Sequence, residues 1–272
     1  MANPVQEVSG TEIMGSNKVS VIVPVSKIEE WWQQCLHSIR SQDYEDVELI
    51  IEYDDKATGA AAARNRGLDK ATGEFVMFVD SDDYLEPGAI KRMVEAIDGV
   101  DMVVGSFRKF GDFEMTVTHE TSILDMWQVA MYAMSNLKDP RRNQLLSGCW
   151  AKLYRRDLIG RFPNLSTAED MALNFDCLTR CKTVKFISDI VYHNRKREGS
   201  LTTTFDENNK PGLFGFLDGL KYVKRFLRPF YPESEIDDAI VNSKIYHSLL
   251  YFMRICTHTG EPMNDVFKRL YP

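Results

Sequence analysis

The run Phe75-Val76-Met77-Phe78-Val79 is apolar at every position and stops abruptly at Asp80-Ser81-Asp82-Asp83. A strand with one wet face alternates apolar and polar side chains. A strand apolar on both parities has to be covered on both faces, as a central strand of a parallel sheet is. The rest of this half supplies what such a sheet needs. Val19-Ser20-Val21-Ile22-Val23, stopped by Pro24, reads as a second buried strand, and residues 47–53 form a further apolar run ended by Asp54-Asp55. Between the first two, Trp32, Leu36 and Ile39 recur at helical spacing. Residues 59–71 are alanine-rich and helical, with Gly73 closing them, and Pro87 opens an amphipathic helix through Ile97. Met102-Val103-Val104 is the next strand. Strand and helix alternate, which predicts an α/β fold: an open, mostly parallel sheet flanked by helices. Ligands of such sheets bind outside the carboxyl ends of the strands, where Pro24, Asp54 and the Asp80 cluster all fall.

The second half is less regular. Residues 122–137 carry a helical stripe through Ile123, Trp127, Ala130 and Met134, residues 147–154 read as a strand or loop leading into a helix, residues 168–179 as helix and 184–193 as strand. From Pro211 the chain turns aromatic and helical, which predicts a helical C-terminal extension over 209–272 behind a catalytic domain over 18–208. Residues 1–17 hold no apolar run and are expected to be a loose leader. Phe216, Leu220, Val223 and Leu227 share one helical face, with Lys221, Lys224, Arg225 and Arg228 largely off it. That face suits packing on the main domain; a peripheral membrane contact or a homodimer through the C-terminal helices are the other uses it suits.

Carboxylates two apart at a strand end point to the same side. Mg²⁺ or Mn²⁺ takes one or two carboxylates and fills its shell with water and substrate phosphates, so Asp80 and Asp82 suit a divalent cation bound with a nucleotide diphosphate. Taken alone, the same pattern is an acidic turn capping the next helix. Directly behind a fully apolar strand, with Asp54 ending another, the ligand site is the better reading. The formal charge of -7 argues against a general nucleic-acid role. The 5 cysteines are an odd number in a chain too long to need a disulfide framework, Cys177 and Cys181 lack a second pair at zinc spacing, and Asn164-Leu165-Ser166 is a sequon without other secretory signs. No stretch is apolar for long enough to span a membrane, so the expected location is cytoplasmic, the inner membrane face included.

Val19-Ser-Val-Ile-Val-Pro-Val25, Glu48-Leu-Ile-Ile-Glu-Tyr-Asp54, Ala63-Arg64-Asn65-Arg66-Gly67-Leu68 and Gly73-Glu-Phe-Val-Met-Phe-Val-Asp80-Ser-Asp82-Asp83 follow one another in order. Trp150-Ala-Lys152-Leu-Tyr154, Ala168-Glu169-Asp170, Tyr192-His193-Asn194-Arg195 and Gly199-Ser200 come after them. The series resembles the family 2 glycosyltransferases of the GT-A fold across about Val19 to Thr204. The resemblance implies an inverting transferase that moves a sugar from a nucleotide-sugar, most often a UDP-sugar, to a hydroxyl of a glycan or lipid-linked acceptor, with Mn²⁺ or Mg²⁺ as cofactor. It places Pro24 and Glu29 beside the nucleotide, Asp54 at the base, Asp80 near the ribose and metal, and Asp82 on the metal, with Asp83 assisting. Asp170 becomes the catalytic base, and His193, Arg195 and Arg197 a basic loop over the diphosphate, with His193 also a candidate metal ligand. Trp150 and Lys152 would line the acceptor side.

Two departures stand out. Ser26-Lys27 replaces the family's Tyr-Asn, and the segment between Asp54 and Ala63 lacks a strand and a helix the family carries there. The second leaves open a nucleotide-binding scaffold without activity. A phosphatase that uses Asp80 and Asp82 would want Thr or Val where Tyr84 stands, and would carry the pair near the start of its domain. A nucleotidyltransferase would want a glycine-rich loop in place of Ser26-Lys27-Ile28-Glu29.

Overall fold

The computed structural model describes residues 17–55, 58–112, 114–141, 145–165, 167–196 and 210–270. The leader, Arg197, Gly199-Ser200 and the Ser166 of the sequon lie outside them, Asn17 excepted.

The first half follows the expected alternation: β1 (Val19–Val25), α1 (Trp32–Arg40), β2 (Val47–Tyr53), α2 (Ala60–Lys70) and β3 (Phe75–Phe78). β1 lies between β2 and β3 and is parallel to both, in a register that sets Val19 beside Val47 and Phe75. Every residue of β1 and β3 is buried, as their apolar character requires, with the Ser20 hydroxyl bonded to Glu48 and the Gly73 amide. α2 follows β2 after a short loop, and among the described residues β2 has no further strand on its outer side. α2 lies close on β1 because Gly67 has no side chain: a Cβ there would stand 2.4 Å from Ile22 Cγ2.

β4 (Tyr84–Leu85) is a short strand that periodicity did not disclose, and α3 (Ala89–Ala96) begins past Pro87 because Gly88 turns the chain at φ 71°. β5 (Met102–Gly111) runs well beyond its apolar start. β6 (Met115–Val117) and β7 (Ser122–Asp125) follow, then α4 (Met126–Lys138). The helical stripe predicted from residue 122 therefore splits. Asp125 accepts from the Gln128 amide while the Gln128 side chain accepts from the Asp125 amide, and this capping box starts the helix at Met126. β8 (Lys152–Arg155), α5 (Glu169–Leu178) and β9 (Thr183–Lys196) complete the sheet.

The sheet order is β2-β1-β3-β8-β5-β9-β4, with β6 on β5 and β7 on β9. β2, β1, β3, β5 and β9 run one way, while β8 and the short β4 oppose their neighbours. The C-terminal extension is helical as expected: α6 (Lys210–Leu227), α7 (Glu233–Thr259) and α8 (Met263–Leu270). The apolar face of α6 is turned inward. Leu220, Val223, Phe226 and Leu227 are buried, Phe226 packs on Phe175 of α5, and Lys224 pairs with Glu233 and Asp237 of α7. Among the described residues, no helix is long and apolar enough to cross a membrane. Cys177 and Cys181 are buried thiols with their sulfurs 3.9 Å apart.

Candidate active site

The parallel strands β2, β1 and β3 end side by side. Asp54 donates its amide to the Val25 carbonyl and Val79 donates to Ile22, so the loops after β2 and β3 leave the sheet on either side of the β1 end. The expected convergence of Pro24, Asp54 and Asp80 at one edge is what this register produces.

Arg64 of α2 joins the parts of the site. Its Nη2 lies 2.7 Å from Asp80 Oδ1, and its Nη1 lies 2.9 Å from Asp170 Oδ1 and 3.3 Å from Glu169 Oε1. One guanidinium thus ties the carboxylate at the end of β3 to the pair that opens α5. The side chain is buried, with the Phe162 ring 5.3 Å beneath it. Burial opposes the charge, but Asp170 above all, with Asp80 and Glu169, outweighs it and holds the guanidinium firmly ionised. Arg64 stood in a quoted motif but received no role from sequence. Only an arginine's planar fork spans three carboxylates in this way.

Asp170 also accepts from the Cys149 amide at 3.3 Å, which positions it against the turn before β8. Glu169 is different. Burial, and then the charge of Asp170, raises its carboxyl to about 7.

The Asp80–Asp83 turn is held from behind by β9. Asp83 is buried and takes hydrogen bonds from Tyr192 Oη at 2.8 Å, Asn194 Nδ2 at 2.9 Å and the Arg195 amide at 2.6 Å. Tyr192 Oη also accepts from the Asp80 amide at 3.0 Å. Burial, with Asp80 and Asp82 beside it, pushes the Asp83 carboxyl well above its ordinary range. Asp83 is therefore the anchor of the turn, and its oxygens face β9 rather than the crevice. Asp80 and Asp82 remain on the partly exposed side.

Several expectations change in the structure. His193 is a packed strand residue: its ring stacks on Tyr84 at 4.3 Å and its Nε2 meets Glu86 Oε2 at 2.5 Å. Arg195 is a latch on the turn. Its Nε donates to the Asp82 carbonyl at 3.0 Å, its Nη2 to Gln34 Oε1 at 2.6 Å, and its guanidinium lies 3.8 Å from the Trp31 ring and 4.5 Å from Phe110. Arg197 lies outside the described residues. Lys152 is turned inward, donating to the Gly148 carbonyl at 2.6 Å, and burial lowers its ammonium to about 8. Trp150 beside it is only partly buried.

Asp54 closes its own loop. Oδ1 accepts from the Thr58 amide at 2.9 Å and Oδ2 from the Gly59 amide at 2.7 Å. Burial would raise this carboxyl, but these bonds and the Arg66 charge outweigh it and hold it low. The short loop thus spends both Asp54 oxygens on its own closure. Pro24 is buried in β1, and Glu29 lies in the exposed turn before α1, where its carbonyl accepts from Trp32.

Among the described residues, no three His, Cys, Asp or Glu side chains group as a metal cage. The donor set is two carboxylates on a turn braced by Asp83. That fits a hard cation which draws its other ligands from water and substrate phosphate.

Comparison with known proteins agrees with this geometry. Residues 53–162 match a family model described as "Glycosyl transferase family 2". The chain is 28% identical over 226 residues to the glycosyltransferase GlyA of Streptococcus pneumoniae, covering 70% of this chain and 32% of that protein. It is 26% identical over 215 residues to the glycosyltransferase EpsJ of Bacillus subtilis, covering 68% of this chain and 62% of that one. It therefore spans less than two thirds of either relative. The crystal structure of Staphylococcus aureus TarS 1-349 in complex with UDP-GlcNAc superposes with a TM-score of 0.65 at 20% identity, over 83% of this chain and 71% of that one. The chain is thus similar to the family 2 glycosyl transferases over residues 53–162, and its fold is that of the TarS structure, a GT-A fold.

Proposed function

We propose that the protein is a metal-dependent, inverting glycosyltransferase that moves a sugar from a nucleoside diphosphate sugar, a UDP-sugar above others, to a hydroxyl of a glycan or lipid-linked acceptor. The observation that carries this reading is the Arg64 bridge. It holds Asp80, on the donor side, and Asp170, on the acceptor side, to one rigid group, as a direct displacement between two bound substrates requires. Asp80 and Asp82 would hold Mn²⁺ or Mg²⁺. When bound, that ion offsets the charge gathering on the departing diphosphate.

The chain's own residues do the rest. Asp170 accepts the proton of the acceptor hydroxyl as its oxygen forms a bond to the anomeric carbon, and the carbon–oxygen bond to the diphosphate breaks on the opposite face, which inverts the anomer. Arg195, pinned by Trp31 and Gln34, keeps the Asp82 turn from yielding as charge builds there. A second reading of the base has its own support: Glu169 rises to about 7, nearer the pH at which a general base works best. Cytoplasmic location, with acceptors presented at the inner membrane face, is consistent with such chemistry.

Release of nucleoside diphosphate from a panel of nucleotide-sugars with Mn²⁺ tests the reading. Release that disappears in Asp82→Ala is the expected result. Phosphate release from simple esters, or no release from any donor, would refute it.

A further inference from the structure

A strip of one sheet face leads away from the candidate base, and its far end carries two lysines without a carboxylate partner among the described residues. Residues paired in register on β5 and β9 point to the same side, so Phe107 and Lys109 share a face with Tyr192, Asn194 and Lys196. The near end of the strip is fixed to the catalytic crevice twice. Trp150 follows Cys149, whose amide binds Asp170, and Tyr192 and Asn194 both bind Asp83. Trp150 stacks on Tyr192, with centroids 5.2 Å apart and planes 18° apart, and Phe107 meets Trp150 edge-on at 4.5 Å. Tyr192 and Phe107 are buried and back Trp150, which is partly exposed.

At the far end, Lys109 Nζ lies 5.8 Å from the Phe107 ring centroid. Lys109 and Lys196 are both partly buried, and each lacks a carboxylate within ion-pair distance among the described residues. Their neighbours are engaged: Arg108 pairs with Glu114 at 2.7 Å, and Arg195 is taken by Asp82 and Gln34. Burial, and then the charge of Lys196, lowers the Lys109 ammonium, so the two lysines repel each other in the empty site. In a chain whose formal charge is -7, two adjacent cations on an aromatic strip, uncompensated among the described residues, are the arrangement an anion would relieve.

We propose that this strip is an acceptor subsite for an anionic glycan, in which a sugar ring lies on Trp150 and a phosphodiester or carboxylate on the acceptor chain sits between Lys109 and Lys196. The proposal deepens the glycosyltransferase reading and rests on it for the word acceptor, though the anion site can be tested separately.

Calorimetry at fixed ionic strength would compare three oligomers of similar length: glycerol phosphate, galacturonate and neutral maltooligosaccharide. One or both anionic oligomers should bind wild type at least about tenfold more tightly than the neutral one. The double variant Lys109→Gln/Lys196→Gln should lose that advantage, while its thermal midpoint and its Mn²⁺-dependent UDP binding stay those of wild type. Lys109→Arg/Lys196→Arg should restore it. Preference for glycerol phosphate assigns a phosphodiester acceptor, and preference for galacturonate a carboxylate. Equal binding of the neutral oligomer, no binding of any oligomer, or undiminished anion binding in the Gln variant would overturn the proposal. Anion binding lost in the Gln variant, from a protein that binds no UDP, would sink the donor reading and leave the anion site standing.

Discussion

At the scale of single residues, Arg64 carries the account. Replacing it by Leu leaves Asp80, Asp170 and Glu169 without their shared cation, so stability should fall by about 3–5 kcal/mol, as when one partner of a buried pair is removed. Urea unfolding measures this, and Arg64→Lys should recover little, because one ammonium cannot span both sides. Asp170→Asn should cut turnover by about 10²- to 10⁴-fold while leaving UDP affinity intact; a larger loss in Glu169→Gln would move the base to Glu169. The raised Glu169 carboxyl also predicts a sign in pH. A group that holds its proton more tightly when folded stabilises the fold most at low pH, fully below its ordinary value of 4.5, and that contribution is lost as pH climbs through about 7. The thermal midpoint of wild type should therefore fall between pH 5 and 7.5 relative to Glu169→Gln, in which the trend is absent.

At the scale of elements, the brace behind the paired aspartates makes the clearest prediction. Tyr192→Phe removes the hydroxyl that joins the Asp80 amide to Asp83. The turn should loosen, weakening Mn²⁺-dependent UDP binding by about tenfold with little change in the circular dichroism spectrum. Gly67→Ala would press a Cβ into Ile22 and lift α2 from β1, costing about 1–3 kcal/mol. Much of this layer is legible in sequence. The runs 19–23 and 75–79 read as buried strands and are buried, 47–53 reads as a strand and is the half-buried β2, and the acidic ends fall together at the carboxyl ends of these strands. What sequence did not disclose depends on distant partners. Asp83 looks like a third site carboxylate until Tyr192 and Asn194 arrive from β9, and Arg195 looks like a phosphate clamp until Trp31 and Phe110 enclose it. The short strands β4, β6 and β7 are set by the strands they pair with, and no periodicity of their own marks them.

At the scale of the whole molecule, the helical extension and the sheet share one core. α6 lies against α5, whose first turn holds Glu169 and Asp170, so the extension supports the end of the sheet that carries the candidate site. Leu227 is fully buried, and Leu227→Ala should cost about 2–5 kcal/mol. Tryptophan fluorescence, which reports Trp31, Trp32, Trp127 and Trp150, should move with helical signal in the same urea transition if this holds. An early helical phase alone would mean that the extension is a separate unit. Amphipathic spacing exposed the apolar face of α6 but not what it packs on, because membrane, second copy and own domain are all apolar.

The central claim is that paired carboxylates on the β3 turn grip a cation and a nucleotide, while the α5 carboxylates act on the other substrate across Arg64. Calorimetric titration of UDP with and without Mn²⁺, into wild type, Asp82→Ala and Asp170→Asn, tests it most directly. The account predicts Mn²⁺-dependent binding that Asp82→Ala abolishes and Asp170→Asn retains. Binding that ignores Mn²⁺, or that survives Asp82→Ala and fails in Asp170→Asn, would contradict it.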